Sequence, residues 1–251
     1  MRSMIPQSIH QTWKTHALPP ALARYQASWP RCNPAWRISF YDDQACLDFV
    51  RCTYPEVLDV YHRFQFAIQR ADFFRYLIVY HTGGLYADMD MECLRPFGDL
   101  YSQRAAVFAI EAHLTRQRQQ ELGYRQPYQI ANCIFAAAPR HWFLQRVIEQ
   151  VVQQAARPIR NDDDIEETTG PRLLTRLYFA LSPAEQQQIT LLPQICWMGP
   201  TSYPNCWPLN INMLARHQFL GSWKQTPKAI RTFKRCWIER SRLPNPWPAK
   251  P

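Results

Sequence analysis

An α/β fold, with a mostly parallel central sheet flanked by helices, is predicted from three observations. Short apolar runs alternate with longer amphipathic stretches, the pattern of strands alternating with helices. Helix starts and stops are marked by Pro19-Pro20, Asp42, Gly83-Gly84 and Pro171. The chain of 251 residues, 47% hydrophobic and 20% charged, is long enough and apolar enough to bury a full core. In order, Ile5 to Trp13 reads as a first strand with its loop, and Pro19-Pro20 opens a helix to about Trp29. Arg37 to Tyr41 is a second strand, and Asp42 caps a helix to about Cys52. A long helix from about Phe66 stops at Gly83-Gly84, where the left-handed backbone suits glycine. Leu85 to Ala87 is then a short buried strand. Ala105 to Ile110 and Ile130 to Ala138 are further strands, and His141 to Ala156 is helical. Arg160 to Thr169 reads as a polar loop, Pro171 to Leu181 as a helix, and Ile189 to Leu192 as a late strand. In such sheets ligands bind beyond the carboxyl ends of the strands.

Composition excludes several classes. No apolar run approaches the roughly 18 residues of a membrane span, and the start lacks the apolar core of a secretory signal. Eight cysteines contain no C-x-x-C pair, which argues against a zinc site or a disulfide framework and for reduced thiols in the cytoplasm. The net charge of +9 is concentrated at the end: residues 216–251 hold nine Lys or Arg against Glu239 alone. A basic tail calls for an anionic partner.

The most informative stretch is Arg70 to Cys93, RADFFRYLIVYHTGGLYADMDMEC: a helix, a double-glycine stop and a strand ending in Asp88 and Asp90. Strand alternation sends both carboxylates to one side and Met89 to the other. Paired hard oxygen ligands at a strand end suit Mg²⁺ or Mn²⁺ with positions left for phosphate oxygens. An Asp-x-Asp by itself means little, since Asp162-Asp163-Asp164 also fits and has no strand before it. Asp72 and Arg75, three apart on the preceding helix, share a face that the glycine turn folds beside Asp88. Read alone they are equally an ordinary ion pair.

Four blocks carry a resemblance to glycosyltransferase family 32 and, more distantly, to the glucosyltransferase domains of clostridial toxins. They are Ile5 to Lys14, Arg70 to Pro96, Thr169-Gly-Pro171 and His217 to Trp223. The resemblance implies a GT-A-type catalytic domain over residues 1–226, followed by a basic aromatic extension over 227–251. It further implies a metal-dependent, retaining transfer of a hexose from a nucleotide-sugar donor, with a UDP-sugar favoured over GDP-mannose. The acceptor would be a glycan or lipid-linked glycan, as in polysaccharide biosynthesis. By resemblance, Ile9, Gln11, Thr12 and Trp13 line the nucleotide pocket, where an indole can stack on a base. Trp13 as a plain core residue is the competing reading. Asp72 and Arg75 would hold sugar hydroxyls, Tyr86 would precede the motif as in the toxin-like relatives, and Asn132 would lie near the transferred sugar. Asp88 would contact the ribose, the sugar or the metal, and Asp90 would ligate Mn²⁺ or Mg²⁺. His217 would be a further metal ligand, and Ser222 and Trp223 would close over the diphosphate.

A nucleoside diphosphate leaves with negative charge, which a cation neutralises as a Lewis acid. With the carboxylates already assigned, front-face attack is the expected route to retention. Ile230, Phe233 and Trp237 share a helical face among basic residues, a pattern that suits a peripheral helix on an anionic membrane at its inner face, or else a helix packed on the core. Expected partners are therefore the donor, the acceptor and an anionic membrane surface, with no nucleic acid. A dehalogenase-type phosphatase would need a small hydroxyl residue where Glu92 stands. A non-enzymatic protein binding anionic ligands through its tail would make the Trp13 and Asp88/Asp90 blocks coincidental.

Overall fold

The structure, a computed structural model, describes residues 4–98, 104–199 and 213–221. Strands are β1 (Ser8–Thr12), β2 (Arg37–Tyr41), β3 (Gly84–Ala87), β4 (Met91–Cys93), β5 (Ala106–His113), β6 (Tyr128–Ile130), β7 (Ile134–Ala137), β8 (Thr190–Leu192) and β9 (Ala215–His217). Helices are α1 (Pro20–Cys32), α2 (Asp43–Thr53), α3 (Leu58–Arg63), α4 (Ala67–Thr82), α5 (Arg116–Leu122), α6 (Trp142–Gln154), α7 (Asp162–Thr168), α8 (Pro171–Ala180), α9 (Pro183–Gln186) and α10 (Gln194–Trp197).

Seven strands form the main sheet, ordered β2-β1-β3-β7-β5-β6, with β8 also paired to β5. β1 is parallel to β2 and β3, and β8 to β5, while β7 and β6 run against their neighbours. Five strands therefore share one direction, the mostly parallel sheet expected. A separate antiparallel pair joins β4 to β9 and sets Met91 opposite His217.

Both faces of the sheet are covered, so its central strands β3 and β7 are apolar and buried throughout. Alternation along β3 sends Tyr86 to one side and Leu85 and Ala87 to the other. Tyr86 joins Phe108 and Phe135 under Phe73, Leu77, Phe143 and Leu174, the layer of α4, α6 and α8. Leu85 and Ala87 meet Trp29, Phe97 and Trp197 on the opposite face. Helix α4 is buried on nearly every side, which is why its sequence carries little amphipathic pattern.

Two local features depart from expectation. Gly83 has φ +70° but ψ −171°, so the chain leaves α4 with extended ψ, straight into β3, rather than through a left-handed cap. Gly84 follows at φ +101°, and a Cβ there would meet the Ser8 hydroxyl and lie 2.7 Å from the Ser8 carbonyl oxygen. The segment expected as a polar loop, 160–169, instead contains α7. Asn161 accepts the Asp164 N–H at 3.0 Å as its cap, and the three aspartates occupy the first turn, where the helix dipole favours them. The Ser222, Trp223 and 227–251 predictions lie outside the described residues. Among the described residues no helix is long and apolar enough to cross a membrane, and all six cysteines are free.

Candidate functional site

The site assembles where β3 ends. The Asp88–Asp90 segment is a turn closed by the Met91 N–H on the Asp88 carbonyl at 3.0 Å, not the strand extension expected. Met89 is still turned away, packed with Leu22 and Tyr25, and both carboxylates face the opposite way. Helix α1 braces the turn from behind. Trp29 Nε1–H donates to the Met91 carbonyl at 3.1 Å, and the Ser28 hydroxyl accepts the Cys93 N–H at 2.8 Å.

Asp72 and Arg75 come from the face of α4 that lies against this turn. The Arg75 guanidinium reaches Asp72 Oδ1 at 3.0 Å and Asp88 Oδ1 at 3.2 Å, and donates to the Asn132 carbonyl at 2.9 Å. It also lies over the Tyr86 ring, 4.7 Å from its centroid. Asp72 further accepts from Asn132 Nδ2 at 3.0 Å and from the Thr169 hydroxyl at 2.8 Å. The Tyr86 hydroxyl donates to Asp88 Oδ1 at 2.9 Å and sits 3.0 Å from Thr12 Oγ1. The Asp72 and Arg75 side chains are 4% and 3% exposed, so this is a buried network and not a surface ion pair. Asp88 is 27% exposed and forms its open end. Burial pushes the Asp72 carboxyl up to about 7, against the opposing pull of Arg75, Thr169 and Asn132. Burial likewise raises Asp88, with Arg75 opposing and Asp90 adding to the rise.

The β4–β9 ladder brings the far end of the chain to the motif. His217 Nε2 lies 3.2 Å from Asp90 Oδ1, and the Leu220 N–H donates to Asp90 Oδ2 at 2.9 Å. Burial alone would raise Asp90, but His217 and that N–H together hold it below the usual carboxylate range. Burial opposes protonation of His217, yet Cys133 and Asp90 hold it well above its ordinary value. One ligand atom each from Asp88, Asp90 and His217 lies within 4.8 Å of the others. Two carboxylates and an imidazole form a donor set that fits Mn²⁺ better than Mg²⁺, which prefers oxygen alone.

On β1, His10 and Thr12 face the Tyr86 side, and Ile9 and Gln11 the other. Ile9 is fully buried in the core and stands apart from the cluster. Gln11 is also fully buried, and neither of its amide atoms has a hydrogen-bond partner among the described residues. Buried amides are almost always paired, and these two atoms are an exception to that rule. Trp13 is half-buried against Leu22, Tyr25 and Met89. His10 is structural: its Nε2 meets the Gly83 carbonyl at 3.0 Å and Thr82 Oγ1 at 3.1 Å, and burial depresses it to about 4. The decoy aspartates are tied elsewhere, with Asp163 2.6 Å and Glu166 2.9 Å from Arg172.

Residues 19–107 match the family described as "Glycosyltransferase sugar-binding region containing DXD motif". That segment resembles a DXD-type glycosyltransferase sugar-binding region. It contains Asp72, Arg75, Tyr86, Asp88 and Asp90, in agreement with the likeness read from the sequence. Inositol phosphoceramide mannosyltransferase 1 of Schizosaccharomyces pombe is 28% identical over 203 residues, covering 79% of this chain. The match spans only 59% of that relative's length. The initiation-specific α-1,6-mannosyltransferase of Saccharomyces cerevisiae is 35% identical over 107 residues, 39% of this chain and 22% of that one. Among solved structures, the PaToxG glycosyltransferase aligns with TM-score 0.51 at 16% identity, covering 74% of this chain and 73% of that one. Apo mouse xyloside xylosyltransferase 1 aligns with TM-score 0.50 at 9% identity, covering 86% of this chain and 98% of that one. The matched segment thus sits in a GT-A-type α/β fold.

Sequence reasoning missed Thr169, Cys133 and the Leu220 N–H. Thr169 was signalled by its Thr-Gly-Pro block but given no role. Leu220 lies in the His217 to Trp223 block but its N–H was given no role, and the Cys133 thiol left no sequence signal because it meets His217 only once β9 pairs with β4.

Proposed function

We propose that this chain is a metal-dependent, retaining glycosyltransferase that moves a hexose from a nucleotide sugar to a glycan or lipid-linked acceptor. The observation that carries the reading is the junction of two features at Asp88: the buried Asp72–Arg75–Asn132 network and the Asp88–Asp90–His217 cluster. In this reading Asp88, Asp90 and His217 hold Mn²⁺, which supplies charge neutralisation to the departing diphosphate. Asp88, the exposed end of the network, meets the donor, while Asp72 and Arg75 fix its carboxylate and the Asn132 backbone. Asp72 has no free approach of its own, since its oxygens already accept from Arg75, Asn132 and Thr169. The unpaired Gln11 amide and the half-buried Trp13 ring take the nucleotide base, the amide by hydrogen bonds and the indole by stacking.

Retention follows from front-face attack, in which the departing phosphate oxygen accepts the acceptor's proton as the new glycosidic bond forms. Relatives named for mannosyl transfer to inositol phosphoceramide favour a mannosyl donor and a lipid acceptor over the UDP-sugar expected from sequence. The test is metal-dependent hydrolysis and transfer across a panel of UDP-sugars and GDP-mannose, with Mn²⁺ or chelator. One donor turned over only with metal is the expected result, and no turnover of any donor refutes the reading. Trapping a covalent glycosyl-enzyme would refute the front-face route while leaving the transferase intact.

A further inference from the structure

We infer that Cys133 is a positioning residue for His217, holding the imidazole in either of the two proton arrangements the metal site requires. This rests on the reading of Asp88, Asp90 and His217 as metal ligands.

Cys133 lies in the short crossing from β6 to β7. Its backbone is fixed to the motif, because the Asp88 N–H donates to the Cys133 carbonyl at 2.8 Å. Its side chain is buried, with Sγ 3.7 Å from His217 Nδ1 and 4.0 Å from Met198 Sδ. The opposite ring nitrogen of His217, Nε2, stands 3.2 Å from Asp90 Oδ1. Phe219 closes one side of the ring at 4.0 Å between centroids. Among the described residues, the thiol is the hydrogen-bonding neighbour of Nδ1.

The chemistry of that neighbour matters. Without a cation, Nε2 carries a hydrogen toward Asp90, and Nδ1 either accepts the thiol hydrogen or donates to the sulfur. To ligate a cation, Nε2 must present its lone pair, so the ring hydrogen sits on Nδ1 and must donate. A metal-bound histidine usually donates its other N–H to a carboxylate or carbonyl, which can only accept. A thiol is both a weak donor and a weak acceptor. Cys133 can therefore partner Nδ1 in both states, and the ring switches without leaving a buried nitrogen unpaired. Alanine can do neither, and serine can do both.

The experiment is Mn²⁺ titration calorimetry on the full chain and its Cys133→Ala and Cys133→Ser variants. It is paired with ¹⁵N imidazole NMR of His217, assigned by His217→Gln, with and without Mg²⁺. Cys133→Ala is expected to weaken Mn²⁺ binding by about 10–100-fold, the usual range for losing an outer partner of a metal-bound histidine, and Cys133→Ser to restore most of it. Full-chain spectra should show a hydrogen-bonded Nδ1 without metal and a protonated Nδ1 with Mg²⁺. Equal Mn²⁺ affinity in Cys133→Ala, or failure of serine to rescue a folded variant, overturns the role of Cys133 alone. If the full chain itself binds no Mn²⁺, the metal reading falls and this inference with it. Should the alanine variant not fold, the spectra of the full chain decide, and an Nδ1 without a hydrogen bond overturns the inference.

Discussion

Arg75→Met tests the central claim about the site, that one buried guanidinium holds two carboxylates in place. The substitution keeps an unbranched side chain of similar reach and removes the ion pairs at 3.0 and 3.2 Å, the 2.9 Å hydrogen bond to Asn132 and the contact over Tyr86. Removing one partner of a buried pair costs about 3–5 kcal/mol, because the other charge is left uncompensated. Asp72 bears most of that cost; Asp88 is 27% exposed and water recovers part of its share. At about 2–4 °C per kcal/mol for a chain of this size, Tm should fall by roughly 6–20 °C. Urea unfolding followed by circular dichroism measures the loss directly. Adding Asp72→Asn removes the stranded charge, so the double variant should recover stability, with a coupling of about 1–3 kcal/mol. A loss below about 1 kcal/mol for Arg75→Met, or strictly additive effects in the double variant, refutes the network as described.

Other expectations follow from the same geometry. Asp90→Asn should abolish Mn²⁺ binding by calorimetry and donor hydrolysis, whereas Asp163→Asn, exposed and backed by Glu166 on Arg172, should leave activity unchanged and cost under about 1 kcal/mol; equal losses would overturn the site assignment. Gly84→Ala must place a methyl on Ser8 at φ +101°, so it should lower the urea midpoint by the equivalent of about 2–4 kcal/mol. His141, buried at the start of α6, is depressed from 6.5 to about 4, so below pH 6.5 the unfolded chain takes up a proton that the folded chain refuses. Stability from this residue is full above that pH and declines toward pH 4. His141→Asn keeps a capping side chain and removes the proton. The parent should therefore lose about 2 kcal/mol relative to the variant between pH 7 and pH 5, read from parallel urea curves.

The helix–glycine–strand core of the site was legible because each part has a strong local cause. The apolar run of α4, the glycines at positive φ and the all-buried β3 leave unmistakable residue choices. Asp72, Arg75 and Tyr86 were placed correctly beside Asp88 for the same reason, since helical spacing and strand alternation fix their directions. The Asp88–Asp90 turn was read as strand because two-residue alternation and a tight turn both set those carboxylates on one side. Strands β4 and β9, three residues each, are too short to show a period, and only their pairing gives them meaning. Helix α7 reads as a loop in the sequence because a run of acids looks solvated, and only the Asn161 cap and the Arg172 partner give it helical form.

The ladder between β4 and β9 also bears on how the protein is made. Synthesis delivers the chain from its amino end at about 5–20 residues per second, so Asp88 and Asp90 emerge long before His217. Until β9 is released and docks on Met91 to Cys93, a nascent chain holds two carboxylates and no imidazole partner. The third donor arrives only once the chain has been translated past His217. A ribosome stalled between Leu192 and Ala215 would yield a chain with every strand of the main sheet and no β9, leaving Asp88 and Asp90 without their imidazole neighbour.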